Sequence, residues 1–213
     1  MDEPGQIYRG LQLPAVPSKP TIVSAFALMH LGRYDEAQQR FQMTLSHYPK
    51  TAIGYAVKNL GRIAMARGNY DEAQTHLLEA LTLFRNTEDM NGLGQTVGCL
   101  GILALRLGNR LQAQKYIYEN LQIATDTLII LPSMTALSSL ALLRIEEGDR
   151  EGAIEFYTVA SQNGHVANSQ WYHDVIGQYI DVAAQLSPSS ESVRGPKHEG
   201  ESVLGVLCYR IFD

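Results

Sequence analysis

The sequence predicts an all-α chain, a solenoid of about four helix pairs closed by a C-terminal capping helix. Two observations carry this. The segment Gly32-Arg33-Tyr34-Asp35-Glu36-Ala37 returns as Gly68-Asn69-Tyr70-Asp71-Glu72-Ala73. It recurs more loosely as Gly108-Asn109-Arg110-Leu111-Gln112-Ala113 and Gly148-Asp149-Arg150-Glu151-Gly152-Ala153, so the glycines stand 36, 40 and 40 residues apart. Each copy also lies between two apolar stretches of helical period, such as Leu60, Ile63 and Ala64 before the glycine and Ala73, Leu77, Ala80 and Leu81 after it. A period of this length is the signature of stacked supersecondary units.

Each unit reads as helix, tight turn, helix. The glycine supplies the left-handed residue that ends the first helix, and Asp-Glu places negative charge on the first turn of the second, where the helix dipole favours it. Ala37, Ala73, Ala113 and Ala153 hold one position in all four copies and fit the point where paired helices approach too closely for a larger side chain. Asn168 to Leu186 reads as one more helix, apolar at Trp171, Val175, Ile176, Tyr179, Ile180, Val182 and Ala183, placed to cover the exposed face of the last pair.

These residues resemble the tetratricopeptide repeat, with its Leu-Gly in the first helix, Gly-x-Tyr at the turn, and Ala, aromatic and Ala down the second. The second copy matches with Leu60, Gly61, Gly68, Tyr70, Ala73, Leu77 and Ala80, and the third with Leu100, Gly101, Gly108 and Ala113. The fourth has Leu140, Ala141, Gly148, Ala153, Tyr157 and Ala160, and the first Gly32, Tyr34, Ala37, Phe41 and a closing Pro49. The resemblance spans residues 21–186 and implies a right-handed superhelix. The usual repeat is about 34 residues, so the spacing of 40 requires longer helices or a longer connection near 86–92 and 125–128.

Outside the repeats, residues 1–20 form a leader broken by Pro14, Pro17 and Pro20, either Pro-rich from the start or the remnant of a truncated repeat. Residues 187–213 are expected to be a disordered or irregular tail, polar through 202 and apolar from Val203 to Phe212.

Composition narrows the function. Seventeen Lys plus Arg against 22 Asp plus Glu leave a formal charge of −5, which offers no field for phosphate backbones or an anionic bilayer. Direct nucleic-acid binding and membrane binding are therefore not expected, and with no secretory signal at Met1-Asp2-Glu3-Pro4-Gly5 a cytoplasmic location is. The two cysteines, Cys99 and Cys208, are expected to be free thiols.

No catalytic, cofactor or metal site is expected. Gly92-Leu93-Gly94-Gln95-Thr96-Val97-Gly98 misses the dinucleotide fingerprint by a residue, follows no strand and lacks a phosphate-loop Lys, so Gly94, Gly98 and Gly101 are read as helix-packing residues. His30, His47, His76, His165, His173 and His198 form no zinc spacing and are read as solvated or loop residues. The acidic cluster from Glu146 to Glu151 spans a helix end, a turn and a helix start.

The resemblance itself implies a site. In such repeats the first helices line the concave side, which places Tyr55, Lys58, Asn59, Arg62 and Met65 there from the second copy and Gln95, Ile102, Leu105 and Arg106 from the third. The fourth adds Thr135, Ser138, Leu142 and Ile145. Lys58, Arg62 and Arg106 suit a peptide or protein partner of acidic character; the alternative is a solvated helix face. Lys58-Asn59 matches once the Lys and Asn pair with which chaperone-binding members clamp a carboxylate. The longer repeat is similar to the helical C-terminal arms of bacterial signal-transduction ATPases and transcription regulators. The expected function is thus a non-catalytic interaction module, a regulatory or sensor arm. The alternative is a fragment of a larger regulator whose missing N-terminal part is an ATPase or nucleotide cyclase, with self-association through Ile22, Val23 and Phe26 of the first helix as its sign.

Overall fold

The computed structural model describes residues 19–45 and 50–186. The leader, Pro49, the C-terminal tail, His47, His198 and Cys208 lie outside the described residues. Four helix pairs follow one another: α1 (Lys19–His30) and α2 (Tyr34–Leu45), α3 (Lys50–Ala66) and α4 (Tyr70–Thr87), α5 (Met90–Arg106) and α6 (Arg110–Thr127), and α7 (Ile130–Glu147) and α8 (Arg150–Ser161). A short α9 (Gly164–Ala167) leads into a terminal helical run: α10 (Gln170–Tyr172), a π-helical turn (His173–Gly177) and α11 (Gln178–Gln185). Among the described residues there is no strand.

The four repeat glycines do what the pattern asks. Gly32, Gly68, Gly108 and Gly148 have φ of 75°, 77°, 72° and 81°, the left-handed conformation that costs an L-residue most. At all four, the residue after the glycine donates its backbone N–H to the carbonyl five residues back, as Arg33 does to Leu28 and Asn69 to Ala64, which closes the helix end. The next helix is then capped: Asp149 accepts from the Gly152 N–H at 2.9 Å and Asn109 from Gln112 at 3.3 Å.

The extra length of the middle repeats is helix, not loop. Helices α4 to α7 run 17 or 18 residues, while Glu88-Asp89 and Leu128-Ile129 suffice to connect them. Glu88 and Leu128 reverse the chain with φ of 53° and 56°, the non-glycine positive values among the described residues.

Packing explains the small residues. Ala37, Ala73, Ala113 and Ala153 are all fully buried. A Cβ on Gly61 would stand 2.9 Å from Leu77 Cγ and 3.2 Å from the Ala73 carbonyl oxygen, so α3 and α4 touch backbone to backbone. Ala73→Leu should therefore overpack this pair and cost about 1–3 kcal/mol, read as a lower urea midpoint at an unchanged m-value. The glycine string of α5 has the same cause. A Cβ on Gly92 would lie 2.2 Å from the Phe84 ring, on Gly94 2.8 Å from Pro132, and on Gly98 2.5 Å from Asn120 and Thr135. Helix α5 is the central staff, with α3, α4, α6 and α7 against it.

The terminal run caps the last pair as expected and also reaches further. It does pack on α7 and α8 through α11, but its first turns cross to the other end of the solenoid and meet α1 and α3. Tyr34 donates its hydroxyl to Asp174 Oδ2 at 2.5 Å, and His30 Nδ1 lies 2.6 Å from Ser169 Oγ. The superhelix thereby closes on itself, the fifth unit touching the first. On α1, Val23 is exposed, whereas Phe26 packs edge-on against Phe41 with ring centroids 5.5 Å apart.

Candidate functional site

Of the expected groove residues, Arg62, Arg106 and Thr135 meet the terminal run, and Tyr55, Lys58 and Gln95 gather beside Arg62. The set is not an open surface. Lys58, Asn59, Arg62, Met65, Gln95, Ile102, Leu105, Ser138 and Leu142 are buried, as is Thr135; only Tyr55, Arg106 and Ile145 keep partial exposure. At Arg62, Thr135 and Arg106 the cover is the terminal run, whose apolar stripe needs a face to bury against; elsewhere it is the packing of the helices on one another.

Trp171 anchors this contact. It is fully buried, its indole N–H donates to the Arg62 carbonyl at 2.7 Å, and the Arg62 guanidinium lies 3.9 Å over its ring. Tyr172, also buried, stands edge-on to Trp171 and places its hydroxyl 3.4 Å from Thr135 Oγ1. Further along, Arg106 donates to the Val175 carbonyl at 2.5 Å and stacks 3.5 Å from the Tyr179 ring. Val175 sits in the π turn, where the ordinary helical bonding is interrupted and a carbonyl is open to an outside donor.

Two buried cations share the centre. Lys58 Nζ donates to Gln95 Oε1 at 2.6 Å and sits 4.9 Å over the Tyr55 ring. Burial, reinforced by the Arg62 charge, lowers its pKa to about 7. Arg62 Nη1 reaches Asn59 Oδ1 at 3.3 Å, while Nε and Nη2 are buried without a partner. Neither cation has an ion pair among the described residues. Asp89 is engaged elsewhere, accepting from the Gly92 N–H at 2.9 Å and from the Tyr55 hydroxyl at 3.3 Å.

A cavity of about 290 Å³ opens above these cations. Lys58, Arg62 and Gln95 form its floor, and Phe26, Tyr55 and Leu131 its apolar walls. His30 and His165, their ring centroids 4.5 Å apart, complete it. Burial and then the Arg62 charge hold their pKa values down, to about 3 for His30 and about 4 for His165, so both are neutral at pH 7. These two are not the solvated histidines expected from spacing: burial against α3 and the terminal run, which no local pattern reports, sets their state.

The burial of Arg62 also changes what charge reversal does. Exposed charges tolerate reversal, and the sequence places Arg62 and Arg106 among them. Arg62→Glu instead puts a carboxylate under Trp171 and should cost stability. Arg33 and Arg110, the turn cations, are exposed and paired with Glu36 and Glu147.

The tetratricopeptide repeat family matches in two places, residues 24–51 and 56–90. These cover most of the first pair and most of the second. The third and fourth pairs repeat the same glycine geometry. No curated protein and no solved structure matches the chain.

Proposed function

The chain carries tetratricopeptide repeats, a protein-interaction scaffold, and from that premise we propose that it is a non-catalytic arm of a regulator whose concave side receives a helical partner. One observation supports this reading above the others: the concave side already holds a helix, residues 170–185 of the chain itself, through an aromatic anchor and a bonded arginine. That is helix-in-groove recognition performed within one chain. A partner reaching Tyr55, Lys58, Arg62, Gln95 and Arg106 displaces the run, and the cations of the groove favour one that is acidic. The π turn supports the same reading, because such turns concentrate at functional positions.

Selection from a library of helical peptides tests it, with the whole chain and Trp171→Ala as baits. Acidic helices with an aromatic anchor should be enriched on Trp171→Ala over the unaltered chain, and Arg106→Glu should abolish the enrichment. Equal enrichment on both baits would move the partner surface to the outer face.

A further inference from the structure

We propose that the cavity above Lys58 and Arg62 is a binding site for a small organic oxyanion with an apolar body, its carboxylate or phosphate held between those two side chains. This goes beyond the partner-binding reading and does not depend on it. The argument starts from charge. A basic group taken out of water costs several kcal/mol unless paired, as buried charge or as a lost proton, and this site buries two, Lys58 and Arg62, with neutral partners only. Lys58 is fully buried and Arg62 is 3 % exposed, yet two of the three guanidinium nitrogens of Arg62 have no acceptor. An anion entering the cavity supplies what both lack.

The rest of the lining selects the anion. His30 Nε2 is likewise buried without a partner, and in the tautomer that accepts the Ser169 hydroxyl at Nδ1 it carries a proton and adds a third donor. Phe26, Tyr55 and Leu131 offer apolar walls that a bare inorganic ion would leave unused. At about 290 Å³ the cavity lies at the lower end of small-molecule pockets, roughly 300–1,000 Å³, which points to a single ring or short chain rather than a nucleotide. The repeat family's peptide clamp lies along an open groove. This cavity is lined from several parts of the chain, with His30, His165 and Leu131 beside the α3 cations, and several of its lining side chains are half-buried.

The whole chain should be titrated at pH 7.5 with benzoate, phenyl phosphate, inorganic phosphate and the neutral isostere benzamide. Trp171, the sole tryptophan and stacked on Arg62, reports occupancy by its fluorescence. Calorimetry in two buffers of different ionisation enthalpy reports proton uptake, expected because an anion draws Lys58 back to its charged form. At least one aromatic anion should bind saturably with proton uptake, and benzamide at least about tenfold more weakly. Lys58→Met should weaken the anion by at least about tenfold and remove the uptake while far-ultraviolet dichroism stays unchanged. The uptake on the unaltered chain needs no variant. Benzamide equal to benzoate, Lys58→Met equal to the unaltered chain, binding without uptake, or no saturable response to either aromatic anion would overturn the site. Inorganic phosphate binding as tightly as phenyl phosphate would overturn the apolar body.

Discussion

Trp171→Ala should destabilise the chain by about 3–5 kcal/mol, the range for truncating a fully buried tryptophan. The loss has three sources: the packing of the fully buried ring, its bond to the Arg62 carbonyl, and the face that covers the Arg62 guanidinium. Removing the ring leaves a buried arginine with even fewer contacts, which sets this site apart from an ordinary core cavity. Urea unfolding followed by far-ultraviolet dichroism measures it. Because the run ties the last pair to the first through Tyr34 and Asp174, the variant should also lose the single cooperative transition. A loss under about 1 kcal/mol would mean that the terminal run contributes little and that the four pairs stand without it.

Lys58→Met should do the opposite and stabilise the chain, by about 1–4 kcal/mol at neutral pH. The methionine keeps the apolar stem and removes a charge that burial penalises. The sign of the pH dependence follows from the same group. Its pKa is about 7 in the folded chain and 10.5 when exposed. Below pH 7 both states hold the proton and the penalty is complete. Between pH 7 and 10.5 the unfolded chain holds more protons than the folded one, so stability rises with pH through that window. Lys58→Met should flatten this rise. Stability of the unaltered chain that stayed level from pH 7 to 10 would place the ammonium in water.

The two variants divide the site into its parts. Trp171 belongs to the run that fills the groove, Lys58 to the floor of the cavity beneath it, and the opposite signs of their effects follow from chemistry. One side chain is apolar and well packed; the other is charged and poorly paired. An axis that keeps a stability cost of this kind is a place where function, through a partner or an anion, supplies the compensation.

How much of this was legible depended on the range of the interaction. Helix pairs, turns and the small residues at their contacts were readable because each is decided within one repeat: Gly68 at positive φ, Asp149 at its cap, Ala73 against Gly61. The glycine string of α5 was readable for the same reason, since helix period and the absence of a strand excluded a phosphate loop. The side of the solenoid that Lys58 and Arg62 face was legible from the repeat register. Their burial was not.

What the sequence determined by itself is therefore local: all-α structure, the number and order of the pairs, and the placement of the first helices inside the superhelix. The tertiary structure decided whether that inside is open. Trp171 meets Arg62 across 109 residues, and Tyr34 meets Asp174 across 140. Contacts of that separation arise from the accumulated twist of four pairs, which brings the fifth unit back over the first. A small change in the rise or rotation of each pair would part them, so no single repeat encodes the closure. The same geometry turns two cations that the sequence marks as a charged helix face into the buried floor of a cavity, and half-buries His30 and His165 beside them.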